Sequence, residues 1–102
     1  MLTNTPPGGA QRGPGQNQIA MIIEPLLDKA AKKLNIDRLT IRKINAPNND
    51  SLYDGKQGPV TSAYIVEALD KGAKKFNWQE KYNLSRNQKG SKVIGIGIGQ
   101  AY

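Results

Sequence analysis

Residues 3–18 read TNTPPGGAQRGPGQNQ and pass without a break into IAMIIEPLLDKAAKKL at 19–34. The first block holds three prolines, four glycines and one arginine, and almost nothing that could anchor a core. Ordering such a segment costs backbone entropy and returns little burial. Its shape therefore needs another use. A loop that carries bare backbone and a guanidinium, Arg12, up to a bound group supplies one, and a plain flexible linker is the competing reading. In the second block Ile19, Ile22, Ile23, Leu26, Leu27, Ala30, Ala31 and Leu34 trace one continuous helical stripe. Pro25 interrupts it and removes one backbone hydrogen bond. The stripe on both sides favours a kinked single helix over two separate ones.

Working outward, Asn35 can end this helix because asparagine tolerates the left-handed conformation. Asp37 is placed to cap a short second helix over 38–44. Residues 45–60 are rich in turn formers and read as a loop. A third helix opens at Thr61 or Ser62, with Tyr64, Ile65, Ala68, Leu69, Ala73 and Phe76 on its inner side. Asn77 and Glu80 have the spacing of a capping box for a fourth, short helix carrying Trp78 and Tyr82. The chain then changes period. KVIGIGIGQAY at 92–102 alternates, with Ile94, Ile96 and Ile98 on one face of a strand and Gly95, Gly97 and Gly99 on the other. No second convincing strand exists in these residues, so its partner is expected outside them. The fold class is α+β: about four helices after a Gly/Pro-rich loop, closed by one strand. The organisation is a loop over 1–18, a helical segment over 19–91 and the strand over 92–102, all parts of one domain.

At 102 residues, with 37% hydrophobic residues and six aromatics, a self-sufficient core would be marginal. Cysteine and histidine are both absent. That excludes a disulfide framework, cysteine-ligated zinc or iron–sulfur centres, and any histidine-based triad within this chain. No apolar run reaches the roughly 18 residues of a membrane span, and MLTNTPPGG at the start lacks the regions of a signal peptide. The net charge of +7 could attract polyanions. The lysines, however, cluster where helices face water (Lys29, Lys32 and Lys33; Lys71, Lys74 and Lys75), so solvated faces account for them.

Two glycine patterns invite a nucleotide reading. The loop around Arg12 is neither a Walker A loop nor a dinucleotide fingerprint, since no strand precedes it and no lysine follows in register. Gly95-Ile96-Gly97-Ile98-Gly99 lacks the helix that must follow such a fingerprint, and a closely packed backbone against a bare strand face explains it better. Glu24 on the first helix reads as a structural acceptor rather than a general base. Free N–H groups at a helix start do attract anions, and an arginine adds planar donors.

Several pieces together resemble the molybdopterin-binding large subunit of the xanthine dehydrogenase and aldehyde oxidase family. They are Thr3-Asn4, then residues 10–18 (AQRGPGQNQ), the helix with Glu24 and Asp28-Lys29-Ala30-Ala31, then 34–39 (LNIDRL), and Ile41-Arg42-Lys43-Ile44-Asn45. The terminal alternating segment extends the likeness over nearly the whole chain. The resemblance implies a piece of a larger molybdopterin-binding domain, in an oxidoreductase that hydroxylates aldehydes or aromatic heterocycles with oxygen from water. It implies a molybdenum cofactor, in its cytosine dinucleotide form, and [2Fe-2S] and FAD centres on other domains or subunits. Carried over by position, Gln11, Arg12 and Gly13 line the cofactor site, with Gly15, Gln16 and Gln18 supporting it. The metal ligands come from the pterin dithiolene, and no metal-ligating residue is expected here. The implied partners are the rest of the parent subunit, the iron–sulfur and flavin subunits and a small-molecule substrate. The location points to the cytoplasm and leaves the periplasm open. Purine-oxidising relatives carry phenylalanine at the position of Pro14, which argues against a purine substrate. The family's catalytic glutamate has no counterpart in this chain, so no catalytic residue is expected and the isolated chain is expected to be inactive. Two rivals are a small basic nucleic-acid-binding module and a scaffold segment without a ligand.

Overall fold

The computed structural model describes residues 4–6, 8–9, 12–52 and 58–100. Among them are four helices: α1 (Gln16–Leu34), α2 (Arg38–Asn45), α3 (Ile65–Phe76) and α4 (Trp78–Arg86). α1 begins three residues before the apolar stripe, so Gln16 and Gln18 belong to the helix rather than to the loop assigned over 1–18. Pro25 sits inside it and the helix continues through.

Asn35 ends α1 at φ 55°, with its N–H donating to Lys32 O at 3.3 Å and the Ile36 N–H to Ala31 O at 3.0 Å. That double return is a Schellman stop, and it buries Ala31 at the turn into α2. Asp37 follows as the N-cap of α2, its Oδ2 accepting from the backbone N–H groups of Leu39 at 2.9 Å and Thr40 at 3.3 Å. α2 packs on α1, α3 on α2, and α4 on α3.

One expected helix start and one expected cap are corrected, while α4 does begin after Asn77 as the spacing predicts. The third helix begins at Ile65, not at Thr61 or Ser62, because Ser62 takes φ 56° and accepts from the Tyr64 N–H in a tight turn. The loop side chain of Asn49 also holds the Ala63 N–H at 2.8 Å, keeping this stretch out of the helix. At Asn77 there is no capping box. A residue already at φ 57° as the end of α3 leaves no side-chain cap for α4. A single left-handed residue thus turns α3 into α4. In the described part of the segment between α2 and α3, Leu52 and Pro59 form an isolated antiparallel bridge and Val60 is buried.

The strand expected over 92–102 is not formed among the described residues. Residues 92–100 run without helix, turn or bend and pair with no other strand; Ala101 and Tyr102 lie outside the described residues. The physical reason is the one the sequence gives: a strand needs a neighbour for its backbone groups.

The core is small. Ala31, Ile41, Val60 and Trp78 are the buried apolar residues among those described, while Ile19, Met21, Ile22, Leu26 and Leu34 on α1 are largely exposed. The chain presents 8932 Å² to solvent, against about 5,700 Å² for a compact monomer of this mass. Its radius of gyration is 18.0 Å, where about 13 Å is usual for this length. Roughly 3,200 Å² of surface is therefore displayed that a compact fold of this mass would bury.

Candidate anion loop at the start of α1

The loop enters α1 through two left-handed glycines, Gly13 at φ 75° and Gly15 at φ 86°. Neither conformation suits a side chain, which is the local reason for glycine at both positions. Gln16 N–H donates back to Gly13 O at 3.2 Å and Ile19 N–H to Gly15 O at 3.1 Å. The Gln16 carboxamide folds over Gly13 so closely that a Cβ there would meet Oε1 at 2.9 Å.

Gly15 offers no side-chain cap, and the first turn contains no acidic residue. The N–H groups of Asn17 and Gln18 consequently have no acceptor among the described residues. Arg12, four residues before the helix, is exposed and without a hydrogen bond among the described residues. Free amides, carboxamides and one guanidinium, with no carboxylate in the first turn, make a donor set that fits anionic oxygens. Gln11 lies outside the described residues. Of the other predicted site residues, Arg12, Gly13, Gly15, Gln16 and Gln18 fall together at this turn.

α1 is fixed in place by a cluster that motif reading missed. Arg42 on α2 is 1% exposed, deeper than any other described charged residue. Its Nε and Nη2 donate to Glu24 Oε2 at 3.0 and 2.6 Å, its Nη2 also to Asp28 Oδ1 at 2.9 Å, and its Nη1 to Arg38 O at 2.8 Å. Glu24 is thus the structural acceptor expected of it, and Oε1 of the same carboxylate is buried without a partner among the described residues. Burial is the largest influence on the Arg42 guanidinium and works to lower its pKa. The hydrogen bonds and charges of Glu24 and Asp28 outweigh it, leaving the pKa raised above its ordinary value. Only the i, i+4 pairing of Glu24 with Asp28 on α1 could have hinted at this, because one helix face then offers two carboxylates to one cation.

The network extends further. Arg38 reaches Asp28 Oδ2 at 3.5 Å and donates to Ile96 O at 3.2 Å, linking the terminal segment to α1 and α2. Trp78 Nε1 donates to both carboxylate oxygens of Asp37 at 3.1 Å, so the cap of α2 also anchors α4. Phe76 and Tyr82 flank the Trp78 ring, with centroids 6.3 and 6.0 Å away. These aromatics form a packing cluster at the α3–α4 corner.

Residues 1–46, which contain the loop, α1 and α2, match the family model of the molybdopterin cofactor-binding domain. The chain is 38% identical over 101 residues to the putative xanthine dehydrogenase molybdenum-binding subunit XdhA of Escherichia coli K12, a match covering 94% of the chain and 13% of that protein. It is 28% identical over 99 residues to the aldehyde oxidoreductase molybdenum-binding subunit PaoC of Escherichia coli O157:H7, covering 95% of the chain and again 13% of the relative. The chain therefore spans about an eighth of the length of these relatives. No solved structure matches it. No helix among the described residues is long and apolar enough to cross a membrane. A molybdopterin-domain match over the loop and its two supporting helices, with identity to molybdenum-binding subunits over nearly all its residues, places this chain in the xanthine dehydrogenase and aldehyde oxidase family of molybdopterin-binding subunits, of which it represents a part.

Proposed function

We propose that this chain is part of the molybdenum-binding subunit of an oxidoreductase, and that residues 11–18, the end of the glycine loop and the first turn of α1, hold anionic oxygens beside the molybdenum cofactor. The observation that carries the reading is the coincidence of the family match with a helix start whose amides are free and whose neighbouring guanidinium is unengaged. Arg12 contributes a planar pair of donors, and the N–H groups of Asn17 and Gln18 contribute the field of the helix terminus. Gln16 and Gln18 add carboxamides, while Gly13 and Gly15 keep the backbone bare enough for close approach. Gln11, lying outside the described residues, is proposed on its position in the motif.

The chain's residues bind and orient; they carry no proton or electron themselves. When bound, the molybdenum centre supplies the oxidation and the oxygen derived from water. In this reading the parent enzyme hydroxylates aldehydes or aromatic heterocycles, uses the cytosine dinucleotide form of the pterin, and passes electrons to iron–sulfur and flavin centres on partner domains or subunits, in the cytoplasm. Pro14 offers no aromatic ring to stack on a purine, so the substrate class proposed is an aldehyde or a non-purine heterocycle.

The test is Arg12→Ala in the intact subunit, scored by molybdenum content and by kcat/KM. Loss of a charge-assisted hydrogen bond of about 2 kcal/mol predicts roughly a 30-fold fall in cofactor retention or turnover. Since Arg12 is exposed and forms no hydrogen bond or ion pair among the described residues, folding should be unaffected. Unchanged retention and turnover would remove Arg12 from the site. Salt-dependent binding of the chain to random DNA would instead support the basic-module rival.

A further inference from the structure

Residues 92–100 are a strand in waiting, and side chains have already taken one of its two edges. The Gln88 carboxamide exchanges two hydrogen bonds with Ile94: the Ile94 N–H donates to Oε1 at 2.6 Å and Nε2 donates to Ile94 O at 2.7 Å. That is what a paired residue on a neighbouring strand would do. Two residues on, Arg38 Nη1 donates to Ile96 O at 3.2 Å. In an extended chain successive residues direct their N–H and C=O groups to opposite edges. Ile94 and Ile96 therefore share one edge, and Gly95, Gly97 and Gly99 share the other. Among the described residues, none of these three glycines has a backbone hydrogen bond, none takes a positive φ, and all three are exposed. A Cβ on Gly95 or Gly97 would meet nothing within 4 Å.

We infer that the Gly95–Gly97–Gly99 edge is a docking site for one extended segment of the same molybdenum-binding subunit, supplied from outside these 102 residues. The inference rests on the reading of the chain as part of such a subunit. Three alternate residues span about 13 Å of edge, enough to pair a strand of about five residues. Bare Cα atoms leave the glycine side open to a second layer of backbone.

Two observations choose this occupant over a second copy of the chain. Each copy carries a net charge of +7, so self-pairing brings like charges together. The relatives are about eight times longer than the matched stretch, and the surplus of roughly 3,200 Å² of displayed surface is of the size that obligate contacts bury. The same arrangement explains why Gln88 and Arg38 hold the ribbon on its isoleucine edge: they fix its direction and leave the glycine edge turned outward.

Amide hydrogen exchange tests this, by NMR on the 102-residue chain and by mass spectrometry on peptides of the intact subunit. In the chain alone the Gly95, Gly97 and Gly99 amides should exchange without protection, while Ile94 is slowed by Gln88. In the intact subunit peptides covering 93–100 should be protected at least about a hundredfold. Gly97→Pro, which removes the central donor of the open edge, should lower that protection. Unprotected glycine peptides in an intact subunit that retains its molybdenum would overturn this inference and leave the cofactor reading intact. Protected peptides in a subunit unable to hold the cofactor would do the reverse. Glycine protection in the chain alone that grows with concentration would assign the edge to a second copy and overturn the proposed occupant.

Discussion

Removing Arg42 should undo the packing of α1 on α2. The Arg42→Met variant keeps most of the apolar stem and deletes a guanidinium whose side chain is 0% exposed. The Glu24 side chain, 14% exposed, then loses both of its donors, and Asp28, 29% exposed, keeps only Arg38 at 3.5 Å. Breaking a buried pair from one side costs about 3–5 kcal/mol, because the other charge is left without compensation. Partial exposure of Asp28 and its second partner place this case at the lower end, about 3 kcal/mol, or roughly a hundredfold in the folding equilibrium. With four buried apolar residues among those described, a loss of that size removes most of the folded population. Pairing the change with Glu24→Leu removes the stranded charge, and about 2 kcal/mol should return. Urea titration followed by the fluorescence of the one tryptophan, Trp78, reads both variants. A shift below about 1 kcal/mol for Arg42→Met, or a double variant no better than the single one, would refute the argument.

Trp78→Phe keeps an aromatic ring in the cluster and loses the donor to Asp37, which should cost about 1.5–3 kcal/mol in a urea titration followed by far-UV circular dichroism, since the variant carries no tryptophan to fluoresce. Gly15→Ala meets no atom within 4 Å but must adopt φ 86°, so about 1–2 kcal/mol of helix-start strain is expected in thermal unfolding. Gly13→Ala carries the same strain and must also displace the Gln16 carboxamide, so its effect on molybdenum retention should exceed that of Gly15→Ala. Lys43→Ala breaks a 2.6 Å pair with Asp70 whose members are 34% and 55% exposed. Screening by water limits its cost to under about 1 kcal/mol, and added salt should erase the difference from the parent chain.

Helices α1 and α3, the Asn35 stop and the Asp37 cap were legible because each depends on neighbours three or four residues away, although α3 buries none of the residues read as its inner side. Asn35 shows this directly: one left-handed residue and two returning hydrogen bonds are decided within six positions. That a loop precedes α1 was legible in the same way, from its glycines and prolines, two of the glycines taking the left-handed φ that glycine adopts at no steric cost. The start of α3 was misread because Asn49, 14 residues upstream of Ala63, takes its N–H and holds it outside the helix. The capping box at Asn77 failed because a residue already spent as the end of one helix cannot also cap the next.

What the local code left undetermined are the contacts between distant residues of opposite charge or open valence. Arg42 looks like any surface arginine in sequence, and only the packing of α2 on α1 drops it between Glu24 and Asp28. The alternating tail declared its own period, but its two edges became unequal only when Gln88, two residues past the end of α4, and Arg38 of α2 bonded to it. Helix starts and turns are settled by short-range sterics and nearby donors. Buried charge pairing and strand edges are settled by which surfaces meet, and that is fixed only when the chain has folded against itself and its surroundings.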